Sequence, residues 1–168
     1  MTLLMTLLER YERILDQLVA ELKAHYGHRL VACAVFGSVG RETQREGSDI
    51  DLLLVVRDLP SGRMKRVDEF LPVEERLQPL LDACAREGAA PMLSPVFKTP
   101  EEVERGSPLF LDMVEDARIL YDDGGFFAAR LERLRCRLRE LGARRIRRGN
   151  AWHWVLKPDL KPGEVFEL

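Results

Sequence analysis

Two aspartates, Asp49 and Asp51, open an otherwise apolar run made of Ile50 and Leu52-Leu53-Leu54-Val55-Val56. In a strand, alternate side chains share a face, so this spacing sends both carboxylates to one side and Ile50 to the other. Ionised carboxylates that close repel each other, and each shifts its pKa unless cations or donors compensate. A divalent cation is the most direct compensation. Hard oxygen ligands on one face suit Mg²⁺, which keeps waters and substrate phosphates in its shell.

A complementary part lies upstream, where a second apolar run ends at Phe36 and Gly37-Ser38-Val39-Gly40-Arg41 follows. Glycine allows a tight turn, and the residues after it are expected to open a short helix. Backbone N–H groups there, with the Ser38 hydroxyl, would face an anion such as a phosphate. Gly40 allows close approach. Arg41 or Arg45 could steady phosphate charge, or simply be solvated loop cations. Ser48 reads as a local cap of the loop. A phosphate cradle and a metal-binding pair on adjacent strands together describe a site for a nucleoside triphosphate.

The pattern G-S, ten residues, then D-x-D resembles the signature of the nucleotidyltransferase superfamily related to DNA polymerase β. The wording F-G-S-x-G-R…S-D-I-D-L, over residues 36–52, is similar to its small prokaryotic members, the minimal nucleotidyltransferases. The resemblance implies an α/β (α+β) fold, a mixed sheet flanked by helices. It also implies transfer of a nucleoside monophosphate, AMP, from NTP to an acceptor hydroxyl, with pyrophosphate released. Matched residue by residue, Gly37 and Ser38 stand at the phosphate-binding pair, with Arg41 beside them as a nucleotide-binding candidate. Asp49 and Asp51 stand at the catalytic, metal-binding positions. In the two-metal scheme one Mg²⁺ lowers the acceptor hydroxyl's pKa and a second bridges the triphosphate and leaving group. A single metal is the alternative, because the family usually adds a third carboxylate on a later strand. The segment expected to form that strand, Pro91 to Phe97, has none: Ser94 or a neighbour takes the position, and the nearest acids are Glu101 and Glu102.

Stepping outward, residues 3–26 place Leu4, Leu7, Leu8, Tyr11, Ile14, Leu15, Leu18, Val19 and Leu22 at helical spacing. Leu30 to Phe36 and Asp49 to Val56 read as buried strands. Residues 63–87 return to helical spacing, with Pro72 and Pro79 expected to kink or divide the helix. Pro91 to Phe97 reads as an edge or irregular strand. Thr99-Pro100-Glu101-Glu102 is a helix-start signal. Further helices over Leu109–Glu115 and Phe126–Leu141 flank a short strand, Ala117–Tyr121. The tail from Trp152 is expected to be irregular with short extended pieces. Residues 1–100 would form the minimal core and 101–168 an extension packed on it.

Of the 168 residues, 26 are Lys or Arg and 28 Asp or Glu, a formal charge of −2. That balance is uneven, with net −8 over residues 1–128 and net +6 over 129–168. Nine arginines fall between Arg130 and Arg148. They read as a solvated face, or as contacts to nucleic acid or an acidic protein; Trp152 and Trp154 read as packing of the tail, or as base-stacking groups. No apolar stretch is long enough for a membrane span, and the N-terminus lacks the basic start of a signal peptide. Cys33, Cys84 and Cys136 read as buried free thiols of a cytoplasmic protein, and the three histidines have no zinc-ligand spacing. The partners expected are a nucleoside triphosphate and an acceptor that is a small molecule, a protein or an RNA. A homodimer or a helical HEPN-type protein could complete the set. The latter belongs to a second reading, in which the chain binds nucleotide and partner as an antitoxin-like module without catalysis.

Overall fold

The computed structural model describes residues 6–149 and 151–168, so Leu4 of the first helical stripe lies outside the described residues. Helix α1 (Leu7–Tyr26) starts at Thr6, whose hydroxyl accepts from the Glu9 N–H while Glu9 accepts from the Thr6 N–H at 2.7 Å. This reciprocal cap satisfies donors that the first turn cannot. The stripe of α1 buries Tyr11, Ile14, Leu15, Leu18 and Leu22. A single 3-10 turn, Gly27–Arg29, then leads into β1 (Leu30–Phe36).

Strand β1 pairs antiparallel with β2 (Ile50–Val56), placing Phe36 opposite Asp51. Strand β3 (Leu93–Lys98) adds parallel to β2, and β4 (Arg118–Asp122) adds antiparallel to β1. The resulting mixed sheet has the order β3-β2-β1-β4. The central strands read as unbroken apolar runs because helices cover both faces. Cys33, Val35, Leu52 and Leu54 join a core with α1 and α3 (Arg63–Arg86), while Ala32, Ala34, Leu53 and Val55 join one with α5 (Leu109–Asp116) and α6 (Phe126–Glu140). Leu52, Leu53 and Leu54 are fully buried, each contributing roughly 1.5–3 kcal/mol. Strand β3 takes an edge, as expected for this proline-bearing segment, with Pro95 inside the strand and Pro91 before it.

One expectation narrows and another changes. Of the two outcomes expected at Pro72 and Pro79, division does not occur: helix α3 is continuous through both. The carbonyls each proline leaves unbonded belong to the fourth residue back, Asp68 and Glu75, and both of those residues are exposed, where water can take the bond. Meanwhile Phe70, Val73, Leu77 and Leu81 hold the opposite side in the core. The arginine cluster and the start of the tail are also regular. Strands β5 (Arg144–Arg148) and β6 (Ala151–Val155) form an antiparallel hairpin with Ile146 opposite His153 and Arg145 opposite Trp154.

Helix α4 (Pro100–Arg105) begins at the expected signal, Thr99 and Glu102 capping one another. Cys33 and Cys84 are buried, whereas Cys136 is only partly so, its thiol lying between Glu132 and Arg139 on the surface of α6. Among the described residues no helix is long and apolar enough to cross a membrane.

Candidate active site

Strand β1 ends at Phe36 and the chain turns at once into a four-residue helix, α2 (Gly37–Gly40). Two glycines of this turn are required for different reasons. Gly37 has φ +64, and a β-carbon there would lie closer than 3.0 Å to the Asp51 Oδ2 atom. Its missing side chain is what lets the turn and the carboxylate of the neighbouring strand meet. Gly40 has no such backbone demand, but a β-carbon would collide with the Asp116 carbonyl oxygen and stand 2.9 Å from that of Val35. The end of α5 therefore crosses directly over this turn.

Asp51 is half-buried on β2, sharing a face with Leu53 and Val55, and Asp49 is exposed one residue before the strand. Burial raises the Asp51 carboxyl above its ordinary value, the Asp49 charge raises it further, and Arg41 only partly opposes them. The pair is thus a concentration of carboxylates that Arg41 only partly offsets, beside a turn of backbone donors. Within the described residues the Ser38 hydroxyl has no hydrogen-bond partner, while the Ser38 carbonyl accepts from the Thr43 N–H at 2.8 Å.

The loop that delivers Asp49 is fastened from two sides. The Arg45 N–H donates to the Ser48 hydroxyl at 2.9 Å, and the Ser48 N–H returns a bond to the Arg45 carbonyl at 3.0 Å, the local cap expected of this serine. From α1, the fully buried Tyr11 donates its hydroxyl to the Ser48 carbonyl at 2.7 Å and lies 3.2 Å from that of Arg45. Burial, then the Asp49 charge, push the Tyr11 phenol upward, so it stays a donor. Sequence reasoning placed Tyr11 in a core stripe and missed this second use; its one signal was a hydroxyl on an otherwise aliphatic face.

Arg41 leaves the turn toward α5. Its Nη1 donates to Asp116 Oδ2 at 3.0 Å, and its guanidinium lies 5.0 Å from the Trp152 ring. Arg145 of β5 holds the same Asp116 through both carboxylate oxygens, at 3.0 and 2.7 Å, and stacks on Trp152 at 3.8 Å. Asp116 and Arg145 had no local sequence signal, because they are neighbours only through the fold.

On β3, Ser94 falls opposite Asp51 in the register. Glu102, one of the two acids nearest in sequence, is spent elsewhere. It accepts from Arg66 at 2.8 and 2.9 Å and caps α4, and the Arg66 contact holds its carboxyl down at about 2. Among the described residues no three His, Cys, Asp or Glu side chains gather to hold one metal ion.

A family model for the nucleotidyltransferase domain matches residues 15–121, the span from α1 to β4. This chain belongs to the nucleotidyltransferase-domain family. A relative from Methanocaldococcus jannaschii, named “Putative protein adenylyltransferase MJ1305”, is 30% identical over 124 residues, covering 73% of this chain and 79% of its own. Among solved structures, a toxin-antitoxin crystal structure with AMP-PNP has a TM-score of 0.45 at 16% identity, over 76% of this nucleotidyltransferase domain chain and 92% of the other. A tri-AMPylated Shewanella oneidensis HEPN toxin in complex with MNT antitoxin gives 0.42 at 13% identity, over 78% and 92%.

Proposed function

We propose that this nucleotidyltransferase moves AMP from ATP to a hydroxyl on a protein acceptor, releasing pyrophosphate in a Mg²⁺-dependent reaction. The observation that supports the reading is the close approach of the Gly37 turn to the Asp51 carboxylate, which would set backbone donors suited to phosphate beside hard acidic ligands. A protein acceptor is the class named for the 30% identical relative.

The donor set suits Mg²⁺. Two carboxylates with too little opposing positive charge gain most from a dication, and Mg²⁺ is commonly held by one or two carboxylates plus substrate phosphates. Asp49 and Asp51 would hold one ion. With Ser94 where the family usually has an acid, a second ion would depend on substrate oxygens and water. When bound, the metal supplies charge stabilisation at the α-phosphate and lowers the pKa of an acceptor hydroxyl.

The protein's own share is positioning. The N–H groups of the turn and the Ser38 hydroxyl hold the phosphates, and Tyr11 and Ser48 keep Asp49 in register with Asp51. The acceptor oxygen bonds to the α-phosphorus, its proton passes to solvent, and the bond to pyrophosphate breaks. Ser94 favours one further reading: a chain that binds nucleotide and a helical partner, such as a HEPN-type protein, without transfer.

The test is incubation of the chain with each α-labelled NTP, Mg²⁺ and cell lysate. Label from ATP should enter protein, and D49N/D51N should abolish it with the fold intact. Nucleotide binding without any labelled product would establish the second reading instead, and binding unaltered by D49N/D51N would overturn the site.

A further inference from the structure

The nine arginines of the basic segment divide into two groups. On α6 they are neutralised or committed: Arg133 pairs with Glu104, Arg135 and Arg139 with Glu132, and Arg137 with Glu140. Arg130 is buried, its Nε donating to the Val103 carbonyl. On the hairpin, Arg145 is spent on Asp116 and Asp112. Arg144, Arg147 and Arg148 are exposed and form no ion pair among the described residues. Of these nine arginines, the exposed ones without an ion pair among the described residues are therefore all on β5.

Strand alternation sorts the hairpin into two faces. One turns inward, where the Trp152 and Trp154 indoles donate to Asp112 Oδ1 at 3.2 and 3.0 Å and Trp154 packs on the α5–α6 core. The other carries Arg144, Ile146 and Arg148, opposite Val155, His153 and Ala151. At its centre Ile146 is 42% exposed. An exposed aliphatic centre with arginines around it has the make-up of a protein interface, in which apolar contact sits inside a polar rim and arginine is enriched. A nucleic-acid surface would want free aromatic planes for stacking, but both indoles are turned inward and Trp152 is covered by two guanidiniums.

The hairpin is tied to the candidate site through its inward face, since Arg145 holds Asp116, Asp116 holds Arg41, and Arg41 follows the Gly37–Gly40 turn directly. We infer that the outer face of β5–β6 is the docking surface for the acceptor, and that it takes an acidic protein segment carrying apolar side chains between its acids. The inference rests on the transfer reading and adds where the acceptor binds.

Three labelled probes of equal net negative charge test it by fluorescence anisotropy on the full chain: a peptide alternating Glu with Ile and Tyr, a Glu/Ser peptide, and a single-stranded RNA. The first should bind about tenfold tighter than either other probe. Arg144→Glu with Arg148→Glu should remove most of that affinity, and Ile146→Ser should erase the preference between the two peptides. Tightest binding by RNA, or peptide binding indifferent to all three substitutions, would overturn the proposal. Arg144→Gln with Arg148→Gln provides a milder second variant should charge reversal disturb the hairpin. Two controls separate this from the transfer reading: hairpin variants should retain Mg²⁺-dependent ATP binding, and D49N/D51N should retain peptide binding.

Discussion

Arg145, from the C-terminal hairpin, closes a two-pronged ion pair on Asp116 at the end of α5, with distances of 3.0 and 2.7 Å. Asp116 is only 8% exposed, so removing it strands two guanidiniums in partly desolvated positions. Asp116→Ala is expected to cost on the order of 3 kcal/mol, read as a lower urea midpoint.

The same pair sets a pH dependence. Burial pushes the Asp116 carboxyl up, but the hydrogen bonds from Arg145 and Arg41 outweigh it and leave it below its ordinary 3.8. A depressed folded pKa gives stability that is complete above the ordinary value and lost as pH falls through the depressed one. The gap in stability between wild type and Asp116→Asn should therefore be constant near neutrality and narrow only below about pH 4. A gap that narrows on the alkaline side instead would contradict this sign.

Gly37→Ala combines a left-handed backbone position with a collision against the Asp51 carboxylate. The strain alone is worth about 1 kcal/mol, so the fold should survive. Displacing Asp51 is the larger effect, and nucleotidyl transfer should fall by roughly 100-fold, the scale of a misplacement of about 1 Å. Calorimetry beside a transfer assay separates the two effects.

Tyr11→Phe deletes the donor that α1 sends to the Ser48 carbonyl. One net hydrogen bond, about 1 kcal/mol, should disappear from the stability. With Tyr11 acting as a positioning residue of the Asp49 loop, kcat should fall several-fold while the affinity for ATP alone changes little. An equal loss in both would mean that the phenol contacts the nucleotide.

Asp51→Asn should separate stability from function. Its carboxyl is raised by burial and by Asp49, so the charged form is unfavourable in the folded chain, and a folded pKa above the unfolded one costs stability as pH rises past it. Metal-free Asp51→Asn should melt at or above the wild-type temperature at pH 7. Added Mg²⁺ and ATP should stabilise the wild type and leave the variant unmoved.

What could be read beforehand follows a physical divide. Strands β1 and β2 were evident because strands covered on both faces must be continuously apolar; Gly37, Ser38, Asp49 and Asp51 stood out as candidates because they fall in one short segment, and the fold sets the Gly37 turn against Asp51. Ser94, one of the candidates for the third position, lies opposite Asp51 in the register. Hairpin β5–β6 was hidden, since Arg-Arg-Ile-Arg-Arg has no apolar alternation and is held by Asp112 and Asp116 from a distant helix. The sequence leaves open whether α3 stays whole through its prolines, because a proline's cost depends on whether water reaches the carbonyls it leaves unbonded. Arg41 was noticed for phosphate, yet its partner could be seen only in three dimensions.

The Arg41–Asp116–Arg145 link has a temporal consequence. Roughly a hundred residues separate the first arginine from the last, so at about 5–20 residues per second synthesis takes some 5–20 seconds to supply the second grip on Asp116. During that interval the glycine turn and both aspartates have already been made, while the flank that steadies Arg41 has not. A nascent chain arrested before residue 145 should hold the sheet but release ATP faster than the finished one, making the hairpin the last step in maturation of the site.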